Sequence, residues 1–93
     1  MGLRTVHVTS TAKATGWTCN VRIEEDGQIV TDHVVEVTIS DLQRLAPGSS
    51  VGDLVTRSFE FLLEREPPRS ILRKFSLSDI ETYFPEYPRA IRG

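Results

Sequence analysis

Cys19 and His33 are the residues best suited by type to covalent chemistry, because a thiol becomes a nucleophile when a base draws off its proton. Such a thiol must be reachable, and a third group must hold the base. No third group is identifiable, and both residues fall on strand positions assigned to the core, so they read as a buried thiol near a partly buried imidazole. A metal centre needs three or four ligands. One cysteine and two histidines would have to recruit carboxylates at no recognisable spacing, and His7 reads as a plain strand residue. Glu24, Glu25 and Asp26, with Asp32 and Glu36 further on, have the type for acid–base work, but a hairpin tip reads as a solvated turn. "PGSSVGD" sets two glycines before a helix start without the spacing or the lysine of a phosphate loop. These patterns predict no enzyme, no cofactor and no metal.

Two further groups of residues suit binding. Arg65, Arg69, Arg73 and Lys74, followed by Arg89 and Arg92, lie near Tyr83, Phe84 and Tyr87 in sequence. Basic and aromatic groups together can hold nucleic acid through phosphate contacts and stacking. Glu60, Glu64, Glu66, Glu81 and Glu86 are interleaved with them, however, which reads as a mixed, salt-bridged surface. "YFPEYP" reads as a packed C-terminal cap, and it is also the best candidate for an exposed aromatic patch.

The whole-chain totals are those of an ordinary globular chain. Ninety-three residues, 39% hydrophobic and 26% charged, suffice for one core, so a single domain over residues 1–93 is expected. The net charge of −2 weighs against a dedicated nucleic-acid binder. A lone cysteine excludes an intramolecular disulfide and suits a reducing compartment. The N-terminus has no apolar run of signal-peptide length, no stretch approaches a membrane span, and the myristoylation pattern fails at Val6. A cytoplasmic protein without a membrane partner is the expectation.

The elements that must position these residues divide near Ser40, with strands over 1–39 and helices over 40–93. Trp17, Cys19, Val21 and Ile23 alternate with polar residues, as a half-buried strand requires. "EEDGQ" is a turn signal, and Ile29, Val35, Val37 and Ile39 follow on one parity. A two-residue loop at Asp26-Gly27 would put Val35 and Val37 on the face opposite Trp17. A three-residue loop, Glu25-Asp26-Gly27, cures this and pairs Ile23 with Ile29, Val21 with Thr31, Cys19 with His33 and Trp17 with Val35. "LRTVHVTS" offers a third strand, linked by the polar "TSTAKATG". Helix starts follow at Ser40 (with Gln43), at Ser50 (with Asp53), and at Ser76 or Ser78, while "RSILRKF" reads as a short helical segment. The expected fold is α+β: a small antiparallel sheet of two or three strands, with an N-terminal hairpin, packed against three or four C-terminal helices.

In the helix after Ser50, Val51, Leu54, Val55, Phe59, Phe61, Leu62 and Leu63 fill an arc roughly 200° wide, about twice what a surface helix needs. Asp53, Thr56, Arg57, Glu60 and Glu64 form the polar stripe. Such a helix is covered on two flanks. One is the sheet; the other is the C-terminal segment (Ile71, Leu72, Phe75, Leu77, Ile80, Phe84) or a second subunit, with intramolecular cover expected first.

"VEVTISDLQRLAPGSSVGDLVTRSFEFLLERE" loosely resembles a ribbon–helix–helix DNA-binding unit, over about a third of the chain. That resemblance implies a dimeric regulator or antitoxin with Glu36, Thr38 and Ser40 in the major groove. Pro47-Gly48 shorten the first helix, and the strand carries an acid where such proteins carry basic residues. "SFEFLLEREPPRSILRKFSLSDIETYFPEYP" is similar to the C-terminal part of a group of short bacterial proteins of uncharacterised role, which implies no activity. The expected function is a non-catalytic protein-interaction or regulatory module, working with a protein partner or as a homodimer. Phe59, Phe61, Leu63, Tyr83, Phe84 and Tyr87 are its candidate contacts. A nucleic-acid regulator using Arg65, Arg69, Arg73 and Lys74 is the alternative.

Overall fold

Period-two alternation in the first third of the chain produces three long strands in succession. The computed structural model describes residues 2–92; Met1 and Gly93, the ends of the expected domain, lie outside the described residues. β1 (Arg4–Lys13), β2 (Gly16–Glu25) and β3 (Gln28–Thr38) form an antiparallel meander. A fourth strand, β4 (Lys74–Ser76), pairs parallel to β3, giving the order β1-β2-β3-β4. The sheet therefore has four strands and is mixed, where two or three antiparallel strands were expected.

β1 runs on through "TSTAK", part of the expected polar linker. Threonine suits a pleated surface, and only Ala14-Thr15 remain as the turn. β2 then begins at Gly16 with φ of 154°, where a Cβ would lie 2.0 Å from the Val37 carbonyl oxygen. Only glycine lets β2 start this close to the end of β3.

The β2–β3 turn is a two-residue one, Asp26-Gly27, with φ of 53° and 83°, so both residues are in the left-handed region of a type I′ turn. Glu24 pairs with Ile29 but Ile23 pairs with Thr31, so Val30 is an extra residue bulged into β3. Val21 then meets His33, Cys19 meets Val35 and Trp17 meets Val37. The shared face was anticipated, whereas the pairing moves by two residues and Cys19 no longer opposes His33. An extra residue in the turn and one inside β3 restore the same parity, so facial pattern alone cannot separate them. The bulge also turns Ile29 away from the core.

α1 (Ile39–Leu45) is capped by Thr38, two residues before the expected Ser40 cap. Thr38 Oγ1 accepts from the Asp41 N–H and the Asp41 carboxylate accepts from the Thr38 N–H, each at 3.0 Å. Thr38 and Ser40 carry equivalent signatures, and the end of β3 decides between them. α2 (Val51–Leu63) is capped as expected, with Ser50 Oγ accepting from the Asp53 N–H at 3.1 Å. "RSILRKF" is not a helix. After a single 3₁₀ turn at Pro68–Ser70 the chain extends, because β3 has an open edge whose groups need partners. The Val34 N–H donates to the Arg73 carbonyl at 2.7 Å, and the Leu77 N–H to the Glu36 carbonyl at 2.9 Å. α3 (Asp79–Tyr83) and α4 (Tyr87–Arg92) close the chain, with Arg92 donating to the last-turn carbonyl of Arg44 in α1 at 2.8 and 3.1 Å.

The core lies between one sheet face, holding Cys19, Val21, Ile23, Val35 and Val37, and α2 with the C-terminal elements. Among the described residues no helix is long and apolar enough to cross a membrane.

Candidate functional site

The wide apolar arc of α2 is covered by its own chain. On one flank Phe59, fully buried, packs 5.3 Å from the His33 ring and 6.1 Å from Phe75. On the other, Phe61 meets the rings of Phe84 and Tyr87 edge-on at 5.8 and 5.3 Å, and the Arg65 guanidinium lies 3.6 Å above it. Tyr87 is also fully buried. Ser58 Oγ donates to the Leu54 carbonyl at 2.7 Å, so the Tyr87 hydroxyl donates to Ser58 at 2.6 Å, and burial pushes Tyr87 up to about 12. Phe59, Phe61 and Tyr87 are thus core residues, which corrects their candidacy as partner contacts. Phe59 is covered by His33 and Phe75, and Phe61 by Phe84 together with Tyr87 of α4, which lies beyond the segment 71–84 expected to do this. Leu63 is half-buried on the flank nearest β1.

Tyr83 is exposed and Phe84 half-buried, and the fold brings them together with residues expected only as cover for α2. Tyr83, 67% exposed, and Leu72, 51% exposed, rim a cavity of about 160 Å³. Leu62, Ile71, Phe75, Ile80 and Phe84 form its apolar wall, with Glu66, Ser70 and Asp79 at the mouth. The site joins the end of α2, the stretch leading to β4, and α3. Asp79 accepts from the Ser76 N–H at 3.0 Å and so holds the start of α3 against β4. Leu72 is held from behind by its backbone. His33 Nδ1 donates to the Leu72 carbonyl at 2.8 Å, which leaves Nε2 as acceptor for the Thr31 hydroxyl at 2.9 Å. Burial lowers the His33 pKa, so this neutral tautomer is the resting form.

These bonds also dispose of the thiol–imidazole dyad. Both ring nitrogens of His33 are occupied, and Cys19 is buried with its pKa raised to about 11 by desolvation. No group of three His, Cys, Asp or Glu side chains suited to a metal is present among the described residues. The acidic hairpin tip is engaged rather than merely solvated. Glu25 pairs with Arg4 and Glu24 with His7, each at 2.9 Å, and Asp26 accepts from the Leu3 N–H at 3.1 Å.

Of the basic candidates, Arg65 is committed to Phe61, to Glu86 at 3.5 Å and to Glu64 at 3.4 Å. Arg69 sits in the 3₁₀ turn, Arg73 just before β4 and Lys74 within it, all exposed. Residues 34–38 pair with β2 on one side, and 34–36 with β4 on the other, within one chain. The edge that a ribbon–helix–helix dimer would use is therefore occupied. Comparison of the chain with protein families, with curated proteins and with solved structures finds no match to any of them.

Of this site only Tyr83 and Phe84 were expected as partner contacts, on the signal of the proline-framed "YFPEYP". Ile71 and Leu72 were expected together as cover for α2; Ile71 is buried, but the extended backbone that replaces the expected helix over "RSILRKF" leaves Leu72 51% exposed.

Proposed function

We propose that the protein is a non-catalytic protein-interaction module, and that the cleft between Leu72 and Tyr83 receives one apolar side chain of a partner. The observation that carries this reading is the pairing of two large exposed apolar side chains with an open apolar cavity. Single exposed apolar residues are ordinary, whereas two flanking a formed pocket support a contact site. Cavities of roughly 150 Å³ lined by Leu, Ile and Phe hold a benzene-sized group in other proteins, so a phenylalanine or leucine side chain is the right size. Glu66 and Asp79 at the mouth favour a basic or neutral flank on that partner.

A photoreactive phenylalanine analogue at Tyr83, introduced in the protein's own host cell, tests the reading. A discrete adduct is expected, and Leu72→Asp should abolish it while leaving the thermal unfolding curve in place. An adduct indifferent to Leu72→Asp, or no adduct above that of an exposed control position such as Gln43, would overturn the proposal.

A further inference from the structure

The outer edge of β1 is the largest unpaired stretch of backbone in the sheet. Leu3 turns its polar groups toward the β2–β3 turn, since its carbonyl accepts from the Asp26 N–H at 3.0 Å and its N–H donates to the Asp26 carboxylate. Hydrogen-bonding direction alternates along a strand, so Arg4, Val6, Val8, Ser10 and Ala12 point N–H and C=O away from β2. Among the described residues β1 pairs with β2 alone. Natural sheets blunt such edges with proline, bulges, short strands or free lysines. β1 is ten residues long, has no proline, and keeps an unbroken register with β2. Its end charges are spent within the sheet, Arg4 on Glu25 and Lys13 on Glu36.

Beside this edge runs an open groove between β1 and α2, lined by Arg4, Thr5, Val6, Thr56, Glu60, Leu63 and Glu64. A strand added to β1 would send every second side chain into it. The groove is acidic along its helix wall. Glu60 joins no ion pair among the described residues, Glu64 has only its neighbour Arg65 at 3.4 Å, and Asp53 continues the stripe toward the N-terminus of α2.

We propose that the β1 edge, from Arg4 to Ala12, adds an extended basic segment of a partner protein as a fifth strand, with alternate Lys or Arg side chains reaching Glu60 and Glu64. Charge selects this occupant over a second copy of the chain. Two β1 strands pairing about Val8 would set both α2 acidic stripes face to face across the seam, and like charges there oppose association. The surface lies on the opposite flank of α2 from the Leu72–Tyr83 cleft, and the two proposals stand or fall separately.

The test uses an acetylated and amidated peptide of about nine residues, lysine alternating with valine, and its glutamate counterpart. Titration of the full chain at low salt, followed by amide chemical shifts and hydrogen exchange, should show saturable shifts and slowed exchange at Val6, Val8 and Ser10. Affinity should fall about tenfold in the Glu60→Gln, Glu64→Gln double variant, stay unchanged in Leu72→Asp, and weaken with salt. Equal binding of the glutamate peptide would overturn the proposal, as would no perturbation of the β1 amides. Protection of those amides in the free chain together with a doubled solution mass would overturn it in favour of a second copy.

Discussion

β1 and β4 are the two edges of one sheet, and they are built on opposite terms. β1 has ten residues, of which only Val6 and Val8 are even half-buried. β4 has three, and its central Phe75 is buried. β1 is joined to β2 by a two-residue turn, so its pairing costs little loop entropy and needs little cover. β4 is recruited across more than thirty residues, and it stays because Phe75 packs against Phe59 and its flanking backbone serves β3. A strand held by local connection can remain open, whereas one held by packing must be closed over.

Substitutions on the two sides should separate these terms. Phe75→Ala should cost about 4 kcal/mol in urea unfolding, because it leaves a cavity against Phe59 and opens the cleft, whereas Val8→Ala should cost about 1 kcal/mol. Equal losses would erase the contrast between the edges. Gly16→Ala acts at the joint of the meander, where the added Cβ meets the Val37 carbonyl. It should cost about 3 kcal/mol, read as a lowered midpoint at unchanged slope.

Acid should weaken the β4 side through His33. Burial lowers its pKa, so below about pH 6.5 the unfolded chain binds more protons than the native one. Stability is therefore full above that pH and declines as pH falls toward the folded value. His33→Gln should flatten that slope between neutral and mildly acid pH, and an unaltered slope would place the titrating group elsewhere. Tyr87→Phe removes the hydrogen bond to Ser58 but leaves that serine bonded to Leu54, so about 1 kcal/mol is expected, with Tyr83 exposure unchanged by fluorescence quenching. Thr9→Ala, on the bare sheet face, should move unfolding by no more than about 0.5 kcal/mol.

The strand–helix division was legible wherever a residue's role depends on its near neighbours. The alternation of Trp17, Cys19, Val21 and Ile23, the Ser50 cap and the two-sided apolar arc of α2 all came through. Errors arose where two local solutions were equivalent: Thr38 against Ser40 as a cap, and Val30 against the turn as the site of the extra residue. The candidate site was half legible, with Tyr83 and Phe84 marked by their prolines and Leu72 expected under α2 rather than at the surface. Phe59, Phe61 and Tyr87 are apolar in any context, and only packing reveals which apolar residues are left outside.

What the sequence determined by itself is the period of each segment, the places where the chain must turn, and the amount of apolar surface α2 has to hide. These follow from steric and hydrogen-bonding rules that act over a few residues. Tertiary structure alone decided that "KFS" becomes a strand, that Phe84 and Tyr87 of the same chain cover Phe61, and that Leu72 meets Tyr83 over an open cavity. Each of those outcomes is a competition between distant segments for one unpaired edge or one apolar face, and only the assembled chain brings the competitors together.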